Sequence, residues 1–168
     1  MNYSNGSKKK FGNFQKGQSL FEVLFAFTVM TLIVVAIVGL ATVTIRNSSY
    51  SKNKTVATSY AQQTIEWLRG EKDKSWSNFF DKADSPATTW CLVSLPDSVA
   101  PSYSWGTPGS CDVDELVDEL FIREVDMERG TTAGGDPFVE VTVSVSWTDS
   151  QGLHEVRLVT DFSNWQAE

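Results

Sequence analysis

Few residues in this chain of 168 are of a kind that does chemistry, and those few stand far apart. Cys91 and Cys111 are the only cysteines, and His154 is the only histidine. An acidic run, Asp112-Val113-Asp114-Glu115-Leu116-Val117-Asp118-Glu119, follows the second cysteine, and a single acid, Glu22, heads a long apolar stretch. Two thiols and one distant imidazole are too few soft ligands for a four-coordinate zinc site. A structural disulfide between Cys91 and Cys111 is the better reading, closing a loop of roughly 20 residues worth about 3 kcal/mol in chain entropy. The acidic run offers the hard oxygens that calcium takes, without the glycine and ligand spacing of an EF-hand loop. The expectation there is a solvated short helix with Leu116, Val117 and Leu120 turned inward. His154 shares a face with Val156 and Leu158 in an alternating segment, as a half-buried sheet histidine would. Around it lies no recognisable nucleophile motif, and the chain has no Gly-rich phosphate loop, HExxH or GxSxG pattern. No enzymatic activity, cofactor or metal is therefore expected. Tyr103 and Trp105 suggest either an adhesive or subunit-contact surface or the cover of a sheet edge.

Glu22 sets the larger question, because a carboxylate at membrane depth costs about 2.5–3.5 kcal/mol at a helix centre and less near its edge. Residues 23–45 (VLFAFTVMTLIVVAIVGLATVTI) carry no charge and are apolar around the whole helical circumference. About 20 such residues cross a hydrocarbon core about 30 Å thick. Lys8, Lys9, Lys10 and Lys16 precede Glu22 with no acid among them, which favours a cytoplasmic N-terminus, although Arg46, Lys52 and Lys54 follow the run. Residues 46–168 are then extracytoplasmic, where disulfides persist. A secretory signal would have an apolar core of only about 7–15 residues before its cleavage site. A plain signal anchor fits the length but gives the acid no role. Composition narrows the rest: 14 bases against 21 acids and 41% hydrophobic residues suit neither a nucleic-acid-coating protein nor a wholly disordered one, and no nucleic-acid partner is expected.

Lys16-Gly17-Gln18-Ser19-Leu20-Phe21-Glu22, followed by that apolar run, resembles the N-terminus of type IV prepilins and type II secretion pseudopilins. The resemblance implies cleavage after Gly17 by a prepilin peptidase, methylation of the new N-terminus at Gln18, and Glu22 as the fifth mature residue. Glycine at the cut site lets an extended backbone enter a narrow protease site. Glu22 of one subunit would neutralise the Gln18 ammonium of its neighbour inside an apolar filament core, turning a burial penalty into a register-setting ion pair. Gln18 departs from the family, which commonly has Phe or another apolar residue there. The partners implied are the peptidase, other pilin or pseudopilin subunits, an inner-membrane assembly platform, and membrane lipid before assembly. The C-terminal block is similar to the ends of minor pilins of the pilus-modification type and of I-type minor pseudopilins, through Ser146, Trp147, Thr148, Asp149, His154, Val156, Leu158 and Trp165. Removing residues 1–17 would leave ten bases against 21 acids. The other reading is a monomeric single-pass membrane protein with an extracytoplasmic ligand-binding β domain.

These residues need a scaffold, and the hydrophobic pattern supplies one. Val56, Ala57, Tyr60, Ala61, Thr64, Ile65 and Leu68 recur at intervals of three and four, so the helix is expected to run on as an amphipathic stripe to residue 69, stopped by Gly70. Gly39 falls at the 22nd mature position, where many pilins carry a helix-breaking proline. Residues 71–90 read as a loop with one helical turn at 76–81, and 91–95 as a strand closed by Pro96. Residues 100–110 read as an irregular loop. FIREVDME (121–128) is a strand, joined by a flexible RGTTAGGDP connection to FVEVTVSVSW. There the alternation of Val139, Val141, Val143, Val145 and Trp147 with polar residues has the period of a half-buried strand. TDSQG turns into LHEVRLVTDF, completing a hairpin. The fold class is α+β: a long N-terminal helix packed against a C-terminal antiparallel sheet. Its divisions are a leader at 1–17, a membrane or filament-core helix at 18–45, an amphipathic second half at 46–70, and a β-rich head at 71–168.

Overall fold

The computed structural model describes residues 18–95, 105 and 108–164, so Gly17, Tyr103 and Trp165 lie outside the described residues. The order of elements is α1 (Gln18–Lys74), α2 (Trp76–Phe80), β1 (Thr88–Cys91), β2 (Ile122–Thr131), β3 (Pro137–Asp149) and β4 (Gly152–Ser163), an α+β arrangement. The chain divides into two compact units, the boundary falling after Ser48, within α1.

In the first unit every large apolar side chain between positions 20 and 45 is exposed. Burying one such side chain is worth about 1.5–3 kcal/mol. A row of them left in water would cost several times the roughly 5–15 kcal/mol that holds a whole domain together. This stretch is long and apolar enough to cross a membrane. Its threonines are compatible with such a place: the hydroxyls of Thr28, Thr42 and Thr44 donate to the carbonyls of Leu24, Val38 and Leu40 at 2.9, 3.0 and 2.9 Å, and Thr31 donates to Phe27.

In the second unit the remainder of α1 lies on the sheet. Ala57, Ala61, Thr64 and Leu68 are fully buried, with Val56, Tyr60 and Ile65 packed beside them, which is the expected stripe. Gly70, however, does not stop the helix. A glycine ends a helix by turning left-handed, whereas Gly70 is not among the positive-φ residues, and α1 continues to Lys74. Lys72 and Lys74 in the last turn suit the negative helix end, and Lys74 pairs with Glu71 at 2.7 Å. Ser75 then caps α2 by accepting from the Asn78 N–H, at the place where one helical turn was expected.

The sheet is an antiparallel meander in the order β1-β2-β3-β4. Val139, Val141, Val143, Val145 and Trp147 of β3 all face the core, set between Val125 and Met127 of β2 and Val156, Leu158 and Phe162 of β4. β2 and β3 extend through much of the expected flexible connection, to Thr131 and from Pro137. Gly130 sits opposite Phe138, whose ring occupies the space that a Cβ would need.

Three expectations are corrected here. The first strand is Thr88–Cys91 and not 91–95, because Trp90 turns inward opposite Val125 while the chain after Cys91 leaves the ladder. Leu92 remains fully buried, its N–H donating to the Arg123 carbonyl at 3.0 Å. The acidic run is not a helix. Val117 and Phe121 bond each other's backbone at 2.7 and 3.0 Å, with Asp118 and Glu119 both at positive φ (49° and 58°), a type I′-like reversal. Of its apolar residues only Val117 is buried. Trp105 is no adhesive surface aromatic: it is 7% exposed, its ring tilted against that of Trp67 and edge-on to those of Phe79 and Trp90, the last on the edge strand β1.

The outer face of the sheet is acidic. Glu124 and Asp126 are engaged, accepting from the Cys111 N–H at 2.8 Å and the Thr89 hydroxyl at 2.6 Å. Glu128, Glu140 and Asp161 stand side by side across β2, β3 and β4, and no cation among the described residues pairs with them.

Candidate functional site

Glu22 is the only charged residue of α1 before Arg46. It lies one residue beyond the first turn, where the unpaired N–H groups of a helix start favour a negative charge. It is exposed and has no ion pair or hydrogen bond among the described residues. Gln18 opens α1, and the expected cut at Gly17 falls outside the described residues. The arrangement is a lone carboxylate at the head of a helical stretch whose other side chains, as far as Ile45, carry no charge; in a medium of low dielectric such a carboxylate would interact strongly with one matched positive group.

The head carries the other expected residues. Cys91, at the end of β1, and Cys111 form the disulfide, with Cα atoms 4.8 Å apart. Their sulfurs lie beside a carboxylate of Glu115. Bonded to each other, they offer no thiolate to a metal. The bridge ties the loop after β1 back to the outer face of the sheet, where Glu124 holds the Cys111 amide.

His154 is half-buried on β4, as the alternation implied. Its Nε2 lies 2.9 Å from Asp149 Oδ1, and its ring packs 5.0 Å from Tyr50 and 5.2 Å from Trp147. Asp149 also accepts from the Gln151 N–H at 2.7 Å. That backbone bond first, and the histidine second, hold its carboxyl below the usual aspartate range. Asp149 closes the β3–β4 turn, and His154 packs against α1 through Tyr50; a nucleophile is not part of this group.

Two residues escaped sequence reasoning. Arg123 is 3% exposed on the core face of β2, where its Nε donates to the Leu92 carbonyl at 2.8 Å and its guanidinium to the Val93 carbonyl at 3.3 Å. It thereby satisfies the chain that has just left the sheet. The signal was present, since period two in FIREV sets Arg123 between inward-facing Phe121 and Val125. Tyr60 donates its hydroxyl to Asp118, fixing the left-handed turn onto α1. That bond chiefly, then burial and the Asp118 charge, raise the phenol above its usual value, with Arg123 opposing. Nothing local in the sequence joins residues 58 positions apart.

Compared with protein-family models, curated sequences and solved structures, the chain finds no match.

Proposed function

We propose that this chain is a minor pilin or minor pseudopilin, a structural subunit whose work is assembly. A prepilin peptidase cuts it after Gly17 and methylates Gln18. The helix that first sits in membrane lipid then enters the core of a type IV pilus or type II secretion pseudopilus, built with other pilin or pseudopilin subunits on an inner-membrane platform. The head lies outside the cytoplasm, in keeping with its disulfide.

The observation that carries this reading is Glu22: one carboxylate, five residues after Gly17, opening a helical stretch whose large apolar side chains are all exposed. An anchor alone needs the apolar stretch and gains nothing from the acid, whereas a subunit that must find its register among identical helices gains a specific partner. The reaction is the peptidase's; the chain supplies a glycine at the cut and a basic leader.

Mass spectrometry of the protein purified from its native membrane tests the reading. An N-terminus at Gln18 is expected. Chains beginning at Met1 would sink the filament assignment in favour of a single-pass anchor with a ligand-binding head. In the same cells Glu22→Ala should be cleaved and membrane-bound yet poorly incorporated, and normal incorporation would remove the ion-pair argument.

A further inference from the structure

β4 borders the sheet: β3 pairs with one side of it, and among the described residues nothing pairs with the other. The two-residue loop makes Asp149 and Gly152 the hydrogen-bonded pair that closes the hairpin. Leu153, Glu155, Arg157, Val159 and Asp161 therefore direct both backbone N–H and C=O away from β3. Natural sheets blunt such an edge by shortening it, bulging it, or placing proline or charged side chains on it. Of these devices β4 has only the charges, Glu155, Arg157 and Asp161, and it runs twelve residues in unbroken register without a proline. Leu153 and Val159, 74% and 58% exposed, are the two large apolar side chains that the described strands leave in water.

We propose that this edge is a self-recognition site, at which β4 pairs antiparallel with β4 of a second copy about a two-fold axis at Val156. Along the edge Leu153, Glu155, Arg157 and Val159 read apolar, acid, base, apolar, an order that complements itself when reversed. With Val156 facing its counterpart, Leu153 faces Val159 and Glu155 faces Arg157, each twice. Glu155 and Arg157 already lie 3.1 Å apart within one strand, so the four charged groups close a ring. A slip by two residues sets Glu155 against Glu155 in one direction and Arg157 against Arg157 in the other. Opposite charges across strands stabilise and like charges oppose, so the charges select the register. The contact is isologous and closes at two copies.

The pairing has a direction. α1 runs alongside β4, with Tyr50 against His154 at one end and residues 72–76 beside Ser163 at the other. A two-fold axis through the sheet reverses one head against the other, so residues 50–76 of the two copies run in opposite directions. The site lies wholly within the second unit of each copy. It requires neither cleavage at Gly17 nor incorporation into a filament, so its failure and theirs are separately visible.

The test uses the full chain reconstituted at one copy per lipid nanodisc, followed by sedimentation over a range of concentration. Discs should pair reversibly. Arg157→Glu, which sets acid against acid, should weaken pairing at least tenfold. The double variant Glu155→Arg/Arg157→Glu keeps the self-complementary order and should restore it. Far-ultraviolet circular dichroism and an intact Cys91–Cys111 bond establish that each variant is folded. In paired discs the outward amides of Glu155, Arg157 and Val159 should exchange hydrogen more slowly than in single ones. Discs that stay single at every concentration, or a folded double variant that does not recover, would overturn the proposal. So would edge amides that become protected only when a different protein is added.

Discussion

Asp149 shows how a single carboxylate ties a turn to its surroundings. Its lowered pKa has a definite sign for stability: a carboxyl held below its unfolded value of 3.8 contributes stability above that pH, and the contribution is lost as pH falls through the folded value. Asp149→Asn should therefore flatten the part of the acid limb that lies below about pH 4. The check is the urea midpoint between about pH 5 and pH 2; an unchanged slope would mean that the carboxylate carries no such weight. At this scale the sequence was partly legible. The disulfide could be argued from the only two cysteines, both in the segment expected outside the cytoplasm, and the half-buried histidine from strand alternation. The inward place of Arg123 could be read from the same alternation, but its partners and the Tyr60–Asp118 contact could not, because each answers to a segment far along the chain: the carbonyls after β1 and the left-handed turn at 118–119.

Among the elements, the meeting of α1 with the sheet depends on small residues. Ala57 and Ala61 are fully buried one turn apart, in the same core as the valines of β3. Interiors packed in this way tolerate added methylenes poorly. Ala61→Leu should cost about 1–3 kcal/mol, while Leu at the neighbouring exposed Gln62 should stay within about 0.5 kcal/mol. Thermal denaturation of both variants, with equal midpoints as the contrary result, decides this. The stripe and the β3–β4 hairpin were legible because periods of 3.6 and 2 over ten or more residues leave little ambiguity. The failures came where a local signal was weak or was overridden. Gly70 permits a stop without imposing one, and α1 runs through it. The acidic run had helical spacing, but the Val117–Phe121 bridge took its backbone. Trp105 sits in a segment with no period at all, so nothing in its neighbours announced that it would fill the space beside Trp67 and Phe79.

For the molecule as a whole, the α+β class and the long leading helix followed from two blocks of sequence that need different solvents, one apolar on all sides and one alternating. Which partners cover the first block was not written in periodicity, since any hydrocarbon surface satisfies it; Glu22 alone narrows the choice. The head poses the converse problem, a surface with more negative charge than its own cations neutralise. Glu128, Glu140 and Asp161 lie abreast on neighbouring strands, so folding brings together charges that the unfolded chain keeps apart. Between ionic strengths of about 0.01 M and 0.15 M the screening length shrinks from about 30 Å to about 8 Å. Sodium chloride should accordingly raise the urea midpoint, and Glu140→Gln should raise it at low salt while reducing its further response; a midpoint indifferent to salt would contradict this. The head is thus built to be firmest in brine, and a dilute buffer meets it at its weakest.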